Sequence, residues 1–364
     1  MIVGVLGAGQ LARMMALAGI PLGLEFIFLD PAEDACANKL GEHLHGDYNA
    51  PHLLAELAAR ADVVTYEFEN VPADVAEFLA ARTTVFPPAQ ALAVAQDRLI
   101  EKNFLNDLGI PTPAYAVIDN FEQLVQAMQT MAYPVILKSR TQGYDGKGQA
   151  LIHSSSDLPN AWALLDGVPA IVEAFVPFKR EVSIIAVRTS QGDMAFYPLS
   201  ENHHRGGILR VSECKTDDPM QQQAESYISR LMDALNYVGV LALELFEIGD
   251  QLIANEFAPR VHNSGHWTIE GAQTSQFENH LRAILQLPLG VTDAVGKAAM
   301  VNFIGGLPPT EQLLTIPNVH LHLYDKELRK GRKVAHATVR TSHDHVLREV
   351  VAQLSQLAEQ TDES

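Results

Sequence analysis

At 364 residues the chain is long enough for two or three domains, and 47% hydrophobic with 19% charged residues is the make-up of an ordinary globular protein. The formal charge of −18, from 44 acids against 26 bases, excludes general binding to nucleic acid or to an anionic membrane surface, both of which need basic surface. Cys36 and Cys214 are too few for a disulfide framework and carry no metal-ligand spacing; with no signal pattern and no apolar run of about 18 residues, the expected location is the cytoplasm.

Residues 1–90 alternate short apolar runs with helical patterns. IVGVL, EFIFLD and DVVTYEF read as strands, and QLARMMALAGI and LLAELAARA as helices between them, a grammar that predicts a parallel sheet covered by helices. The stretch GVLGAGQLA, Gly4 to Ala12, reads G-x-G-x-x-A between strand and helix, and Asp30 ends the next strand about 20 residues on, where a ribose-binding acid belongs. A full dinucleotide fold, however, needs two mononucleotide halves and about six strands, and the grammar changes after residue 90. The turn is therefore read three ways: a nicotinamide or flavin site, a helix N-terminus holding another phosphate, or close helix–strand packing.

PPAQALAVAQDRLIEKNFLNDLGIPTP is a long helical stretch, ended by Gly109 with Pro111 and Pro113 marking a boundary. Strands AYAVI and YPVILKS flank a helix at 121–131, and the glycine-rich loop TQGYDGKGQ leads into ALIHS. Strand patterns AIVEAFV, REVSIIAVR, MAFYPLS, GVLALELFEI and QLIANEF follow, with helices at 219–236 and 276–286. HLHLYDK and HATVRTS are further strands, a helix at 345–360 closes the chain, and the terminal TDES is expected to fray. There is no internal repeat.

Four segments carry chemistry. Lys138 at a strand end, then a loop with three glycines and Lys147, suits a polyphosphate: glycines admit backbone N–H groups to the oxygens and lysines supply compact positive charge. It is not a Walker A loop, since that spacing is absent and a strand follows; a plain glycine hairpin is the bland alternative. Glu173 to Val176 is a strand running into a turn, whose backbone suits an adenine edge, and Glu181 suits ribose hydroxyls. Glu244 and Glu256 lie in apolar strands 12 residues apart across the turn EIGDQ, so a hairpin brings both carboxylates to one side, the oxygen donor set Mg²⁺ favours together with phosphates. NEFAPRVHNSGHW packs Arg260, His262, Asn263, Ser264 and His266 after Glu256, with the arginine suited to hold an anionic intermediate bidentately. The pair His320/His322 lacks a third ligand nearby and is discounted as a metal site; His203-His204 is ambiguous by chemistry alone.

These elements in this order resemble the ATP-grasp superfamily. The segments LGAGQLARM, SRTQGYDGKGQ, FYPLSENHHRGGILR, NEFAPRVHNSGHWTIEGAQTSQFENHLRAI and HLYDKELRKGRKVAH are similar, more narrowly, to the N5-carboxyaminoimidazole ribonucleotide synthetase family of bacterial and fungal purine synthesis, over residues 3–338. The resemblance implies an α/β protein with an ATP-grasp fold: a Rossmann-like pre-ATP-grasp parallel-sheet domain over 1–97, an ATP-grasp domain over 98–290 with a lid over 115–178, and a small β-rich C-terminal subdomain over 291–364.

The resemblance also implies the site. ATP contacts fall on Arg98, Lys138, Gly143, Tyr144, Asp145, Gly146, Lys147, Gly148, Gln149, Glu173, Ala174, Phe175, Val176, Glu181, His204, Asn255 and Glu256, with Mg²⁺ on Glu244 and Glu256. The ribonucleotide and carboxyphosphate site draws on Tyr144, Asp145, Arg260, His262, Asn263, Ser264, Lys326 and Arg332, with Gln10 and Glu67 at the ribose end. Lys326 and Arg332 sit in YDKELRKGRK, a local reversal of charge in an acidic chain that fits a substrate phosphate. The implied reaction joins ATP, bicarbonate and 5-aminoimidazole ribonucleotide into the N5-carboxylated ribonucleotide, ADP and phosphate, with Arg260 holding carboxyphosphate, Asp145 orienting the aminoimidazole and His262 assisting proton transfer. The opening turn, on this reading, serves the ribonucleotide half of the cleft and takes no nicotinamide. The family also implies a homodimer. The rivals are a formate-using ribonucleotide transformylase of the same superfamily, a nicotinamide dehydrogenase and a nucleotide-binding regulatory module without turnover.

Overall fold

The computed structural model describes residues 1–141, 143 and 148–362. The chain opens with β1 (Ile2–Leu6), α1 (Gln10–Gly19), β2 (Glu25–Asp30), β3 (Glu42–His45), α2 (Pro51–Arg60) and β4 (Val63–Tyr66). All four strands are parallel, in the order β3-β2-β1-β4. β1 and β4 are apolar and buried on both faces, as strands covered by helices on each side must be. This is one mononucleotide-type half and not a six-stranded dinucleotide fold.

The long helical stretch that follows is broken. After α3 (Ala73–Ala80) come α4 (Ala89–Ala95) and α5 (Arg98–Asp107), separated at Asp97. The Asp97 carboxylate accepts the N–H groups of Leu99 and Ile100 at 2.9 and 3.4 Å, starting a new helix and setting Arg98 in its first turn.

The segment expected as the lid carries β5 (Tyr115–Ile118), α6 (Phe121–Ala127), β6 (Val135–Ser139), β7 (Gln149–Ile152), α7 (Leu158–Leu164) and β8 (Ala170–Ala174). Its antiparallel sheet runs β5-β8-β6-β7 and has its own core around Leu124, Val135, Leu137 and Val172.

The remaining strands form one nine-stranded sheet, ordered β14-β13-β9-β11-β12-β15-β17-β16 with β10 on β9. They are β9 (Arg180–Arg188), β10 (Met194–Phe196), β11 (Leu199–Arg205), β12 (Ile208–Lys215), β13 (Gly239–Ile248), β14 (Gln251–Ala258), β15 (Lys297–Ile304), β16 (Val319–Leu323) and β17 (Lys333–Thr341). Helices α8 (Gln221–Ala234), α9 (Thr268–Gly271), α10 (Gln276–Ile284), α11 (Thr310–Leu314) and α12 (Asp344–Asp362) pack on it. The C-terminal strands are thus continuous with the central sheet through β12 and β15. One apolar core joins Val3, Val5 and Met15 of the first unit to Ile185, Val240, Trp267 and Met300, so the opening turn is held against the large sheet.

Candidate active site

The Gly7–Gly9 turn is shaped by a carboxylate of the chain itself. Gly7 has φ 99°, and a Cβ there would fall 2.4 Å from Glu67 Cγ; one on Gly9 would fall 2.4 Å from Glu67 Oε1. Glu67, just beyond β4, accepts the N–H groups of Gly9 and of Ala12, the latter at 2.9 Å. Asp30 takes the Ala8 N–H at 2.8 Å and the Tyr48 hydroxyl at 3.0 Å. The amides that would cradle a pyrophosphate are therefore committed, and Asp30 serves the turn and no ribose. Gln10, at the mouth of α1, accepts a hydrogen bond from Lys326, which lies in the β16–β17 connection. Burial holds the Lys326 ammonium below its ordinary pKa, with Arg332 and Lys333 adding repulsion against the attraction of Glu67.

From this turn a cleft of 640 Å³ runs between the first unit, the lid and the large sheet. Of the expected residues it brings together Gln10, Glu67, Arg98, Lys138, Gly143, Gln149, Glu181, His204, Glu244, Asn255, Glu256, Arg260, His262 and Asn263. Tyr144, Asp145, Gly146 and Lys147 lie outside the described residues. Gly148, at the end of that loop, has φ 68°, and a Cβ there would meet Ser139 Oγ at 2.5 Å. A Cβ on Gly143 would meet the Arg98 guanidinium at 2.8 Å.

Glu244 and Glu256 are direct cross-strand partners of β13 and β14. Like charges so placed repel; burial first, then Glu256, push the Glu244 carboxyl up to about 7. The residues present fit a divalent cation by chemistry: two facing carboxylates are an oxygen donor pair for which such an ion is the countercharge. Arg98 Nη2 approaches Glu256 at 3.7 Å, and His204 Nδ1 lies 2.6 Å from Glu181 Oε2. Burial opposes the His204 charge, yet Glu181 and Glu244 raise its pKa. His203, by contrast, points outward with a 59% exposed side chain.

Two expected contacts lie beneath the cleft wall. Glu173 is buried and accepts from Lys138 at 2.9 Å, with Lys102 at 3.3 Å on its other oxygen. Burial works against its charge, but the two ammoniums hold its pKa down at about 2. Its carboxylate thus orders Lys138 and does not face the cleft. Beyond it the Ala174 N–H goes to Ala114 O at 2.8 Å and the Phe175 N–H to Pro134 O at 3.3 Å, while no partner is described for the Val176 N–H among the described residues. Ser264, expected on the substrate, is fully buried; the Ser183 hydroxyl donates to it at 2.7 Å, and it sits 2.9 Å from His262 Nδ1. Ser264 thus meets His262 from the side away from the cleft wall.

The hydrogen bonds around His262 fix its tautomer. Asn202 Nδ2 donates to Ser183 at 3.0 Å and Ser183 to Ser264, leaving the Ser264 hydroxyl to donate to Nδ1. The Ser264 N–H also reaches Nδ1, at 3.3 Å. Nε2 therefore carries the proton, 3.3 Å from Glu244 Oε1. Burial and the neighbouring Arg260 keep this imidazole neutral, well below its ordinary pKa. Arg260 pairs with Glu69, and Asn263 exchanges amide bonds with Asn302 at 2.7 and 3.2 Å.

Sequence reasoning missed Glu69, Glu101, Lys102 and Lys333, and the stacked pair Phe178–Phe246, centroids 4.8 Å apart, all but Lys102 on the cleft wall. Glu101 and Lys102 carried a usable signal, a charged pair on the buried face of α5. Arg332 is not on the wall; Lys333 beside it is. Among the described residues His322 pairs with Glu270 at 2.7 Å, while His320 is exposed.

The comparisons with known proteins agree with this geometry. Residues 1–96 match a ribonucleotide synthetase preATP-grasp domain, 103–277 an ATP-grasp domain, and 298–350 a phosphoribosylaminoimidazole carboxylase C-terminal domain. Sheet, lid and cleft thus define an ATP-grasp ligase. The chain is 51% identical over 357 residues to the N5-carboxyaminoimidazole ribonucleotide synthase of Pseudomonas aeruginosa, covering 98% of this chain and 99% of that one. The crystal structure of N5-carboxyaminoimidazole ribonucleotide synthetase from Thermus thermophilus superposes with a TM-score of 0.93 at 51% identity, covering 98% of each chain. The Aspergillus clavatus N5-carboxyaminoimidazole synthase in complex with ADP and 5-aminoimidazole ribonucleotide superposes with a TM-score of 0.92 at 31% identity, covering 99% and 98%. The chain belongs to the N5-carboxyaminoimidazole ribonucleotide synthase family.

Proposed function

We propose that this cleft carboxylates 5-aminoimidazole ribonucleotide with bicarbonate at the expense of ATP, giving the N5-carboxylated product, ADP and phosphate. The observation that carries the reading is the set of groups on one cleft wall: the acid pair Glu244 and Glu256 with Lys138, His204, Arg260 and His262, and Gln10, which takes the Lys326 ammonium. The formate-using and dehydrogenase alternatives fall away, the first on the named relatives and the second on the committed amides of the opening turn.

Bicarbonate is a poor electrophile and is activated by taking the γ-phosphoryl group, a transfer catalysed by positioning and charge neutralisation. A Mg²⁺ ion on Glu244 and Glu256 supplies, when bound, the divalent charge that β- and γ-phosphate oxygens need. Lys138, oriented by buried Glu173, adds a fixed ammonium on the lid side. Adenine fits against Phe178 and Phe246, with Val176 N–H as donor and Glu181 at the ribose. Arg260, aimed by Glu69, holds carboxyphosphate; the exocyclic amine attacks its carbon, or CO₂ released beside it, and phosphate departs. His262 presents Nε2 to this centre with its tautomer set from behind, and Asp145, with Tyr144 beside it, both outside the described residues, orients the aminoimidazole. Lys326 binds the ribonucleotide phosphate, with Lys333 on the cleft wall and Arg332 next to it in the chain adding positive charge; Gln10 and Glu67 bind its ribose.

The same reading carries working boundaries at 97/98 and 290/291, and a cytoplasmic homodimer, the two buried free cysteines suiting a reducing compartment. No helix among the described residues is long and apolar enough to cross a membrane. The test is ADP release from Mg-ATP with bicarbonate and the ribonucleotide each omitted in turn. Release that requires both, with the carboxylated product trapped, is expected; release driven by formate overturns the reading.

A further inference from the structure

β14 is the edge of the nine-stranded sheet, pairing with β13 on one side only. The outward backbone groups of such a strand need other partners. Here consecutive residues of α5 supply them. Lys102 Nζ donates to Asn255 O at 2.6 Å, and Glu101 Oε1 accepts the Phe257 N–H at 2.7 Å. The two bonds fall on either side of Glu256. The register steps from Glu244↔Glu256 to Leu245↔Ala254, so Asn255 is the extra residue of a bulge, a device that re-aims the side chain beside it.

Lys102 is 1% exposed, and a buried ammonium persists only when paired. Its second contact is Glu173 at 3.3 Å, which in turn holds Lys138 at 2.9 Å. One buried cation thus connects the strand that bears Glu256 to the lid strand that bears Lys138.

We propose that Glu101 and Lys102 are positioning residues, a clamp on the β14 bulge that fixes the Glu256 carboxylate opposite Glu244 and, through Glu173, sets Lys138 at a constant distance from it. The clamp rests on the reading of Glu244 and Glu256 as cation ligands. If Lys102 served only to balance the charge of Glu173, removing both charges would leave cation binding intact. If it clamps the bulge, cation binding is lost even when Glu173 is no longer left as a stranded carboxylate, and Glu101→Leu, which keeps the Glu173–Lys138 pair, shows the same loss.

The test compares wild-type protein with Lys102→Met, Lys102→Met/Glu173→Gln and Glu101→Leu. The double variant removes the stranded carboxylate, and Glu101→Leu leaves the Lys102–Glu173–Lys138 chain untouched, so the result does not depend on one variant folding. Thermal melting establishes the fold. Binding of Mn²⁺ in the presence of ADP is read from the free Mn²⁺ electron paramagnetic resonance signal, and the Mg²⁺ dependence of ADP formation is measured beside KM for the ribonucleotide. The folded variants are expected to bind Mn²⁺ with ADP about tenfold or more weakly, with a matching rise in the Mg²⁺ requirement and an unchanged ribonucleotide KM. Folded variants with wild-type Mn²⁺ affinity overturn the clamp alone. Wild-type protein whose ADP complex recruits no Mn²⁺ overturns the cation reading beneath it.

Discussion

Lys326 donates a hydrogen bond to Gln10 across 316 residues of sequence, so the last connection of the central sheet reaches back to the mouth of the first helix. A cation from the β16–β17 connection thus meets a polar side chain that the first unit places on the cleft wall. Lys326→Ala is expected to raise KM for the ribonucleotide about 10- to 100-fold, the range for losing a charged hydrogen bond, with nucleotide affinity unchanged. Steady-state kinetics beside calorimetric titration with ADP decides it; equal loss of both affinities would remove the separate phosphate subsite.

Glu256 stands opposite Glu244 in the strand register and is the more exposed of the two, with a 44% accessible side chain against 16%. Glu256→Ala is expected to lower ADP formation by on the order of a hundredfold or more, because a cation ligand at the transferring phosphoryl group is removed. Unchanged ADP production by the folded variant would refute the ligand assignment.

His280 ties the first unit to the central sheet. Fully buried on α10, it lies 2.9 Å from Thr65 Oγ1 of β4 and accepts the Val240 N–H of β13 at 3.1 Å. Burial lowers its pKa from 6.5 to about 4. The unfolded chain therefore binds the proton more readily, and the contribution is full above pH 6.5 and lost as pH falls towards 4. By pH 4 that loss amounts to about 3 kcal/mol. His280→Gln is expected to be less stable at neutral pH yet to show a shallower decline between those limits, measured by urea denaturation at stepped pH. A decline of wild-type steepness in the variant would place the titration elsewhere.

Ser264→Ala breaks the hydroxyl chain that sets the His262 tautomer while leaving the cleft wall unchanged. The stability loss is expected at about 1–2 kcal/mol. The kcat should fall with little change in ATP or ribonucleotide KM, which a merely structural hydroxyl would not produce. Kinetics at matched folded fraction separates the two.

The legible part of the fold was the part with local grammar. β1, α1, β2 and β4 follow from apolar runs alternating with helical periodicity, and α8, α10 and α12 from their amphipathic patterns. The hairpin that pairs Glu244 with Glu256 followed from their spacing across EIGDQ. What escaped was set by distant contacts. The break at Asp97 was hidden because the residues around it are good helix formers and only its capping bonds and its pairing with Arg140 disclose it. The burial of Ser264 against Ser183 of β9 depends on a contact 81 positions away, which no local pattern discloses. That the Glu173 carboxylate supports Lys138 was hidden too, because its second partner, Lys102, stands 71 positions earlier.

Activation of bicarbonate as carboxyphosphate, before the amine takes the carbon, passes one bicarbonate oxygen to the departing phosphate. Turnover with ¹⁸O-labelled bicarbonate tests this most directly, by mass analysis of the inorganic phosphate released. One bicarbonate-derived oxygen is expected in that phosphate for each product formed. Phosphate free of label, alongside normal product, would contradict it.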